Sequence, residues 1–364
     1  MSAILYLFLA CLGVQVSFLL LMRHAFGKYS SPSGKSDTAV SVIVCARDEA
    51  QNLRRLLPAL MDQNHENFEI ILVDDRSTDG TDDVCRPYQL NESFHYLRID
   101  TVPENFNGKK FGLTKGIEAA SNNLILLTDA DCMPASNEWI SEMCSGFSPQ
   151  TDFVLGFGMY REEPGLLNLL IRFETLWTAI HYLGFALLNM PYMGVGRNLA
   201  YRKRVFSSNS GFSGVSHITG GDDDLLVNKL ATGQNCEVVI GRKATTWSVP
   251  KRKWRDFFIQ KIRHLSVGRH YSPASRMILG VISLSHIFGY IFMGILLLHP
   301  VYWVYAAAGL VIRTLLLLYT FKKACQKLEI PFSTGKILPM DLMYAIYYPV
   351  MGISASLRKK IRWN

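Results

Sequence analysis

The sequence, 364 residues long, lacks the glycine-rich loops that commonly cradle phosphate. No G-x-G-x-x-G follows its first β-branched run, and no G-x-x-x-x-G-K-[ST] occurs anywhere. The first absence argues against a dinucleotide dehydrogenase, the second against a P-loop NTPase. The seven cysteines form no C-x-x-C spacing, and Cys11 and Cys325 lie in or beside apolar runs. Free thiols in a reducing compartment are expected, with no zinc site. Charge is missing from residues 2–22. As a helix that stretch reaches ~30 Å at ~1.5 Å per residue, enough to cross a bilayer. No Lys or Arg precedes it, as a signal peptide would want, and Arg23, His24, Lys28 and Lys35 follow it. It reads as a retained anchor with the following domain in the cytoplasm. There is no internal repeat and no low-complexity tract.

Hydrophobic residues make up 49% of the chain and gather at its two ends. Residues 277–298 and 301–320 read as two more spans, joined by His299-Pro300. Arg313 inside the second is costly in lipid and is expected to face protein. Residues 338–357 are apolar but carry Pro339, Asp341 and Pro349 and precede Arg358-Lys359-Lys360. A crossing there would put that basic tail outside, against the charge rule, so an interfacial or re-entrant segment is expected. The net charge of +8 invites a nucleic-acid reading. The basic residues, however, crowd beside the spans, at Lys251, Arg252, Lys253, Arg255, Lys261, Arg263, Arg269 and Arg276 and again at Lys322, Lys323 and Lys327. Anionic lipid head groups explain that placement better, and no nucleic-acid partner is expected.

After a Ser/Gly/Pro linker at 30–36, residues 40–45 read as a first strand, and Leu53, Leu56, Leu57 and Leu60 mark a helix. A second strand at 68–73 ends in Asp74-Asp75, a helix starts near Thr81, and a third strand follows at 94–99. A helix at 109–120 leads to a fourth strand at 124–128. This alternation predicts a parallel, doubly wound sheet with its ligand crevice at the strand tips. The fourth strand ends in Asp129-Ala130-Asp131. Residues two apart in a strand share a face, so the two carboxylates repel unless a cation or proton sits between them. Hard oxygen ligands there suit Mg²⁺ or Mn²⁺ with substrate phosphates completing the shell; the plain alternative is a solvated turn. Asp48/Glu49 and Asp74/Asp75 stand at earlier tips. Three acidic tips on one edge suggest a site for a cation and for donors such as a base NH or ribose hydroxyls. Phosphate contacts then fall to a metal and to Lys109 or Lys110.

Two later stretches carry chemistry. Thr219-Gly-Gly-Asp-Asp-Asp-Leu225 places three carboxylates before an amphipathic helix. One or two acids would complement a helix dipole, whereas three repel and suggest a base or a second cation contact. Gln260, Arg263, His264 and Val267 share one helical face, and Arg263 has the fork to pair with a pyrophosphate. The same helix reads equally as a basic juxtamembrane element rich in aromatics, with Trp254, Phe257 and Phe258.

Three segments, Val42-Ile-Val-Cys-Ala-Arg-Asp-Glu49, Ile71-Leu-Val-Asp-Asp-Arg-Ser-Thr-Asp-Gly-Thr81 and Leu127-Thr-Asp-Ala-Asp131, resemble in order and spacing the family 2 glycosyltransferases of GT-A fold. The resemblance covers about residues 40–270. It implies an α/β fold, a mixed sheet flanked by helices, with transmembrane helices at both ends. The expected layout is an anchor at 1–22, a linker at 23–39, the GT-A domain at 40–270 and a membrane region at 271–364. The implied reaction is inverting transfer from a nucleotide diphosphate sugar, a UDP-sugar first, to a lipid-linked or polysaccharide acceptor at the cytoplasmic membrane face.

By the same resemblance, Asp75 with Asp74 beside it accepts from the uracil or ribose, and Ala46 and Glu49 flank the base. Lys109 stands near the diphosphate. Asp129 and Asp131 match the D-x-D motif, Asp131 as direct metal ligand and Asp129 nearer the sugar or ribose. Aligning the family's E-D-x-D-L on Asp224-Leu225 puts Asp222 at the base position and Gly221 where Glu usually stands, leaving Asp222 and Asp223 both open as base. That base is expected to have a raised pKa, being a carboxylate among acids. Gln260 to Arg263 resemble Q-x-x-R-W with His264 in place of Trp, and Gly194-Val-Gly-Arg-Asn-Leu-Ala200 resembles G-x-x-N-x-A. These put Arg197, Asn198 and His264 on the acceptor side. A rival nucleotidyltransferase would want a glycine-rich basic loop after the first strand, which Ala46-Arg-Asp-Glu49 is not. A non-catalytic nucleotide-binding membrane protein would be favoured by loss of the D-x-D or the base, and both are present.

Overall fold

The computed structural model describes residues 1–32 and 37–357. Lys35, the linker residues 33–36 and the Arg358-Lys359-Lys360 tail lie outside the described residues. The chain opens with helix α1 (Ser2–Lys28). β-branched and aliphatic runs then give β1 (Val40–Ala46), β2 (Phe68–Asp75), β3 (Phe94–Ile99) and β4 (Leu124–Asp129). Between them lie α2 (Ala50–Met61), α3 (Thr81–Cys85) and α4 (Gly108–Ala119). After them come β5 (Cys132–Pro134), α5 (Trp139–Ser145), β6 (Phe153–Leu155) and β7 (Gly158–Tyr160). The domain continues through α6 (Leu166–Leu187), β8 (Leu199–Arg202), α7 (Lys203–Ser208) and α8 (Asp224–Leu230). It closes with β9 (Cys236–Val238), β10 (Thr246–Ser248) and α9 (Trp254–Val267).

The main sheet runs β3-β2-β1-β4-β8-β6-β9. The pairs β3–β2, β2–β1 and β1–β4 are parallel, as the alternation predicts, but β8 is antiparallel to both β4 and β6. The sheet is mixed because the strand–helix alternation stops at β4. Register aligns Ala46 with Asp74 and Cys45 with Asp129, so the acidic tips stand side by side at one edge. β1 is also where the strand order reverses, and a crevice outside the carboxyl ends is the usual ligand position there. A small second sheet, β5-β10-β7, closes one flank of that crevice.

Alternation along the strands feeds two cores. Val42, Val44, Ile70, Leu72, Leu124 and Leu126 pack toward α2 and α5. Ile43, Ile71, Val73, Ile125 and Leu127 pack toward α4 and α6, in a core that continues into the apolar helices. Phe18, Leu19, Met22 and Phe26 of α1 join it, so the helix runs two turns past residue 22 as a packed element. Burying each such side chain is worth about 1.5–3 kcal/mol. Gly184 of α6 makes room for Met22, since a Cβ there would collide with its sulfur.

The C-terminal region is α10 (Pro273–Leu297), α11 (Trp303–Leu328) and α12 (Ile337–Leu357). Helices α1, α10 and α11 are long and apolar enough to cross a membrane. The 338–357 segment is one unbroken helix that accommodates Pro349 and packs on α9 as well as on α6 and α10. Arg313 does face protein. It bonds Asp341 Oδ2 at 2.5 Å and Oδ1 at 3.2 Å, and donates to Tyr290 Oη at 3.1 Å. Gln15 of α1 completes this tie, donating to Ser285 Oγ at 2.8 Å and accepting from Arg313 at 3.4 Å.

Candidate active site

Lys109, in the first turn of α4, is the centre of the crevice. Its Nζ donates to Asp129 Oδ1 at 2.8 Å and lies 3.0 Å from Asp222 Oδ2. Asn107 caps α4 through Lys110 N, which fixes where Lys109 leaves the helix. Burial alone would lower the Lys109 ammonium; the charges of Asp129, Asp222 and Asp223 reverse this and hold it well above its ordinary value.

Asp129 ends β4, and the turn through Ala130 returns Asp131 to the same spot. Carboxylate oxygens of both, with Cys132 Sγ, lie within 4.8 Å of one another. Burial and then the charge of Asp129 raise the Asp131 carboxyl, partly offset by Arg197 and Lys251. A cation would relieve that strain. Cys132 sits buried against Ser248 Oγ at 3.0 Å, and burial pushes its thiol far up, so it offers no thiolate. The available donors are hard carboxylate oxygens, which fit Mg²⁺ or Mn²⁺. Glu49, at the start of α2, joins the same field: burial, then Asp131 and Asp129, raise it against the opposing effects of Asn52 and Lys251.

The three acids at 222–224 have separate surroundings. Asp223 caps α8, accepting from Asp224 N at 2.8 Å, and also accepts from Gly196 N. Burial and the charge of Asp222 push it up to about 6. Asp224 accepts from Tyr271 Oη at 2.8 Å. Asp222 faces Lys109, but the contact lacks hydrogen-bond alignment and leaves Oδ2 without a hydrogen bond. The raised pKa expected of Asp222 is not found. Burial opposes ionisation, and the Lys109 ammonium overrides it, holding the carboxyl below its ordinary value.

Arg197 stacks over the Tyr160 ring at 4.8 Å, and Gln260 donates to Tyr160 Oη at 3.5 Å. Arg263 lies beside Gly220, with His264 exposed on the rim within electrostatic reach of Arg197 and Lys109. Helix α9 therefore crosses the mouth of the crevice. Asp75 accepts from Arg76 Nε at 2.7 Å at the tip of β2, and Ala46 ends β1 beside it.

Three candidate residues are bonded elsewhere than in the crevice. Asp74 points to the opposite face of β2, where Oδ1 accepts from Ser77 N at 2.9 Å. Its Oδ2 accepts from Tyr96 Oη at 2.6 Å and Arg98 Nη1 at 2.8 Å, so it clamps β2 to β3. Asn198 is fully buried, accepting from Trp139 Nε1 at 3.0 Å and donating to the carbonyls of Phe157 and Ala244. It ties the two sheets together rather than meeting an acceptor. Lys110 is also spent: its Nζ donates to Val215 O at 2.7 Å and Ile218 O at 2.9 Å, anchoring the loop that leads to Asp222. Sequence reasoning gave Lys251 no site role and missed Tyr160. Only the fold brings Lys251 within reach of Asp131 and Glu49, and Tyr160 to Arg197 and Gln260, although Lys251 carried a signal as the first cation after β10.

Residues 41–208 match the Glycosyl transferase family 2 domain. Glycosyltransferase AglE of Haloferax volcanii is 30% identical over 111 residues, 30% of this chain and 35% of that protein. Probable glycosyltransferase YdaM of Bacillus subtilis is 24% identical over 62% of this chain and 54% of its own length. The chain thus spans about a third to a half of these curated relatives. Among solved structures, the mannosyltransferase PcManGT from Pyrobaculum calidifontis, in complex with GDP-Man and Mn²⁺, superposes with a TM-score of 0.58 at 17% identity. That match covers 95% of this chain and 99% of the other, a likeness of fold. The stretch from β1 to β8, with the D-x-D tip on β4, is thus similar to the Glycosyl transferase family 2 domain.

Proposed function

We propose that this protein is an inverting glycosyltransferase of the hexosyltransferase type, moving a sugar from a nucleotide diphosphate sugar to an acceptor hydroxyl at the cytoplasmic face of a membrane. A UDP-sugar is the first donor to test. The observation that carries this reading is the placement of Lys109 between Asp129 and Asp222. It puts a cation able to meet a diphosphate beside both the D-x-D tip and the buried carboxylate of Asp222.

Asp129 and Asp131 would hold Mg²⁺ or Mn²⁺, whose charge stabilises a departing diphosphate. Asp75 and Glu49, at neighbouring tips, are placed to meet the base and ribose. Asp222 is ionised at neutral pH and takes the proton of the attacking hydroxyl. Asp223 is the weaker choice for that role, because Gly196 N and Asp224 N already occupy its oxygens. With one base and no nucleophilic side chain required, a single displacement inverts the anomeric carbon. Gln260 and Arg263 are assigned to the nucleotide sugar, and Arg197 and His264 to the side from which an acceptor, lipid-linked or glycan, approaches.

The test is nucleoside diphosphate release by the detergent-purified chain with UDP-, GDP- and dTDP-sugars, with and without EDTA. Release from one donor that EDTA abolishes is expected. No release from any donor in the presence of extracted lipids, alongside normal nucleotide binding, would favour a binding protein instead.

A further inference from the structure

On its other side, away from the acids, α9 faces α12 across an apolar groove of about 500 Å³. Trp254 and Phe258 form one wall and Leu342, Met343, Ile346 and Tyr347 the other. Its volume falls within the ~300–1,000 Å³ range of built ligand sites. Leu342 and Ile346 are 47% and 66% exposed, so the groove opens sideways along α12, which packs on the membrane-length helices α10 and α11.

One observation separates this groove from plain membrane-facing surface: its rim turns cationic where α9 begins. Lys251, Lys253 and Arg255 flank Trp254 and are exposed, and the charge of Lys251 reaches Asp131 and Glu49. An apolar slot that ends in cations beside the acids is complementary to a hydrocarbon chain joined to an anionic phosphate. A neutral polysaccharide would need neither the slot nor the cations.

We infer that the groove between α9 and α12 seats the hydrocarbon chain of a single-chain lipid phosphate that carries the acceptor sugar, an assignment of acceptor class that rests on the glycosyl-transfer reading. The phosphate lies against the cations at the start of α9, and the sugar hydroxyl reaches Asp222. In the transfer, that hydroxyl oxygen forms the new bond to the anomeric carbon of the donor. The bond from that carbon to the diphosphate breaks, the nucleoside diphosphate departs with its electron pair, and the proton goes to Asp222.

The experiment uses the full chain in vesicles of phosphatidylethanolamine with a minority of phosphatidylglycerol, and farnesyl phosphate with a diazirine in its chain. Irradiation is expected to label residues 254–258 and 342–347. By mass action, excess unlabelled farnesyl phosphate should reduce that label about tenfold, and the same excess of phosphatidylglycerol should not. Met343→Trp, which fills the groove, should lose the label. Leu315→Trp, on the exposed side of α11, should keep it. Equal competition by phosphatidylglycerol would mean ordinary bilayer lipid and overturn the proposal, as would label elsewhere or crosslinks between two copies across the groove. Labelling needs no sugar transfer, so a chain that releases no nucleoside diphosphate but labels here refutes the activity alone. One that releases it without labelling refutes the groove.

Discussion

Lys109 Nζ and Asp222 Oδ2 lie 3.0 Å apart inside the crevice, close enough for the ammonium to keep that carboxylate ionised but misaligned for a hydrogen bond. The carboxylate is thus held charged at the place where the proposed base must stand. Asp222→Asn is expected to cut transfer by ~10²–10⁴-fold, the usual scale of general-base catalysis, with donor affinity nearly unchanged. Turnover equal to that of the parent chain would remove Asp222 from the base role.

The same pair makes a pH prediction. The Asp222 carboxyl is lowered in the folded chain, so its ionised form is available well into the acid range. In Lys109→Met, burial acts without the opposing cation and the carboxyl rises. The acid limb of the kcat profile should move to higher pH, and activity at pH 6 should fall more than activity at pH 8. An acid limb at the same pH in both proteins would show that Lys109 does not set this titration.

At the D-x-D tip, Asp131→Asn removes one of two converging carboxylates while keeping the side chain's size. Donor binding by calorimetry should then be nearly independent of added Mn²⁺ or Mg²⁺, whereas the parent chain should tighten with metal. Equal metal dependence in both would place the cation elsewhere.

Asp74 and Asp75 read as one acidic tip in the sequence, and their separation shows where sequence reasoning stops. β-branched runs and strand–helix alternation made the first four strands legible to within two residues at each end, because one sheet buried on both faces imposes a strong pattern. Which of two adjacent carboxylates faces the crevice depends on strand register and on partners in other elements, Tyr96 and Arg98 here. Asn198 was obscured for the same reason, since its partners Trp139, Phe157 and Ala244 lie far away in sequence. Helix α6 went unassigned because it is apolar on nearly every side and shows no helical stripe. The buried role of Arg313 was legible, because only a paired charge is tolerated inside a span.

That division gives a contrast between neighbours. Asp74→Ala should lower stability by roughly 1.5–3 kcal/mol, the scale of a hydrogen bond to a charged group, and leave the donor KM nearly unchanged in the molecules that fold. Asp75→Ala should raise the donor KM with a smaller loss of stability. Melting temperature and KM measured on both variants decide this, and a raised KM confined to Asp74→Ala would reverse the assignment.

The buried pair Arg313 and Asp341 joins α11 to α12 and, through Gln15 and Tyr290, to α1 and α10. With Asp341 fully buried and Arg313 only 8% exposed, removing one partner strands the other away from water. Arg313→Met is therefore expected to destabilise the detergent-solubilised protein by about 3–5 kcal/mol, the cost of orphaning a buried charge. The double variant Arg313→Met/Asp341→Leu leaves no charge behind and should recover most of that loss, because apolar replacements of a buried pair are often neutral. Thermal unfolding of both variants and of Asp341→Leu alone closes the cycle. If the double variant were as unstable as the sum of the singles, the pair would be contributing through packing of its stems, not through its charges.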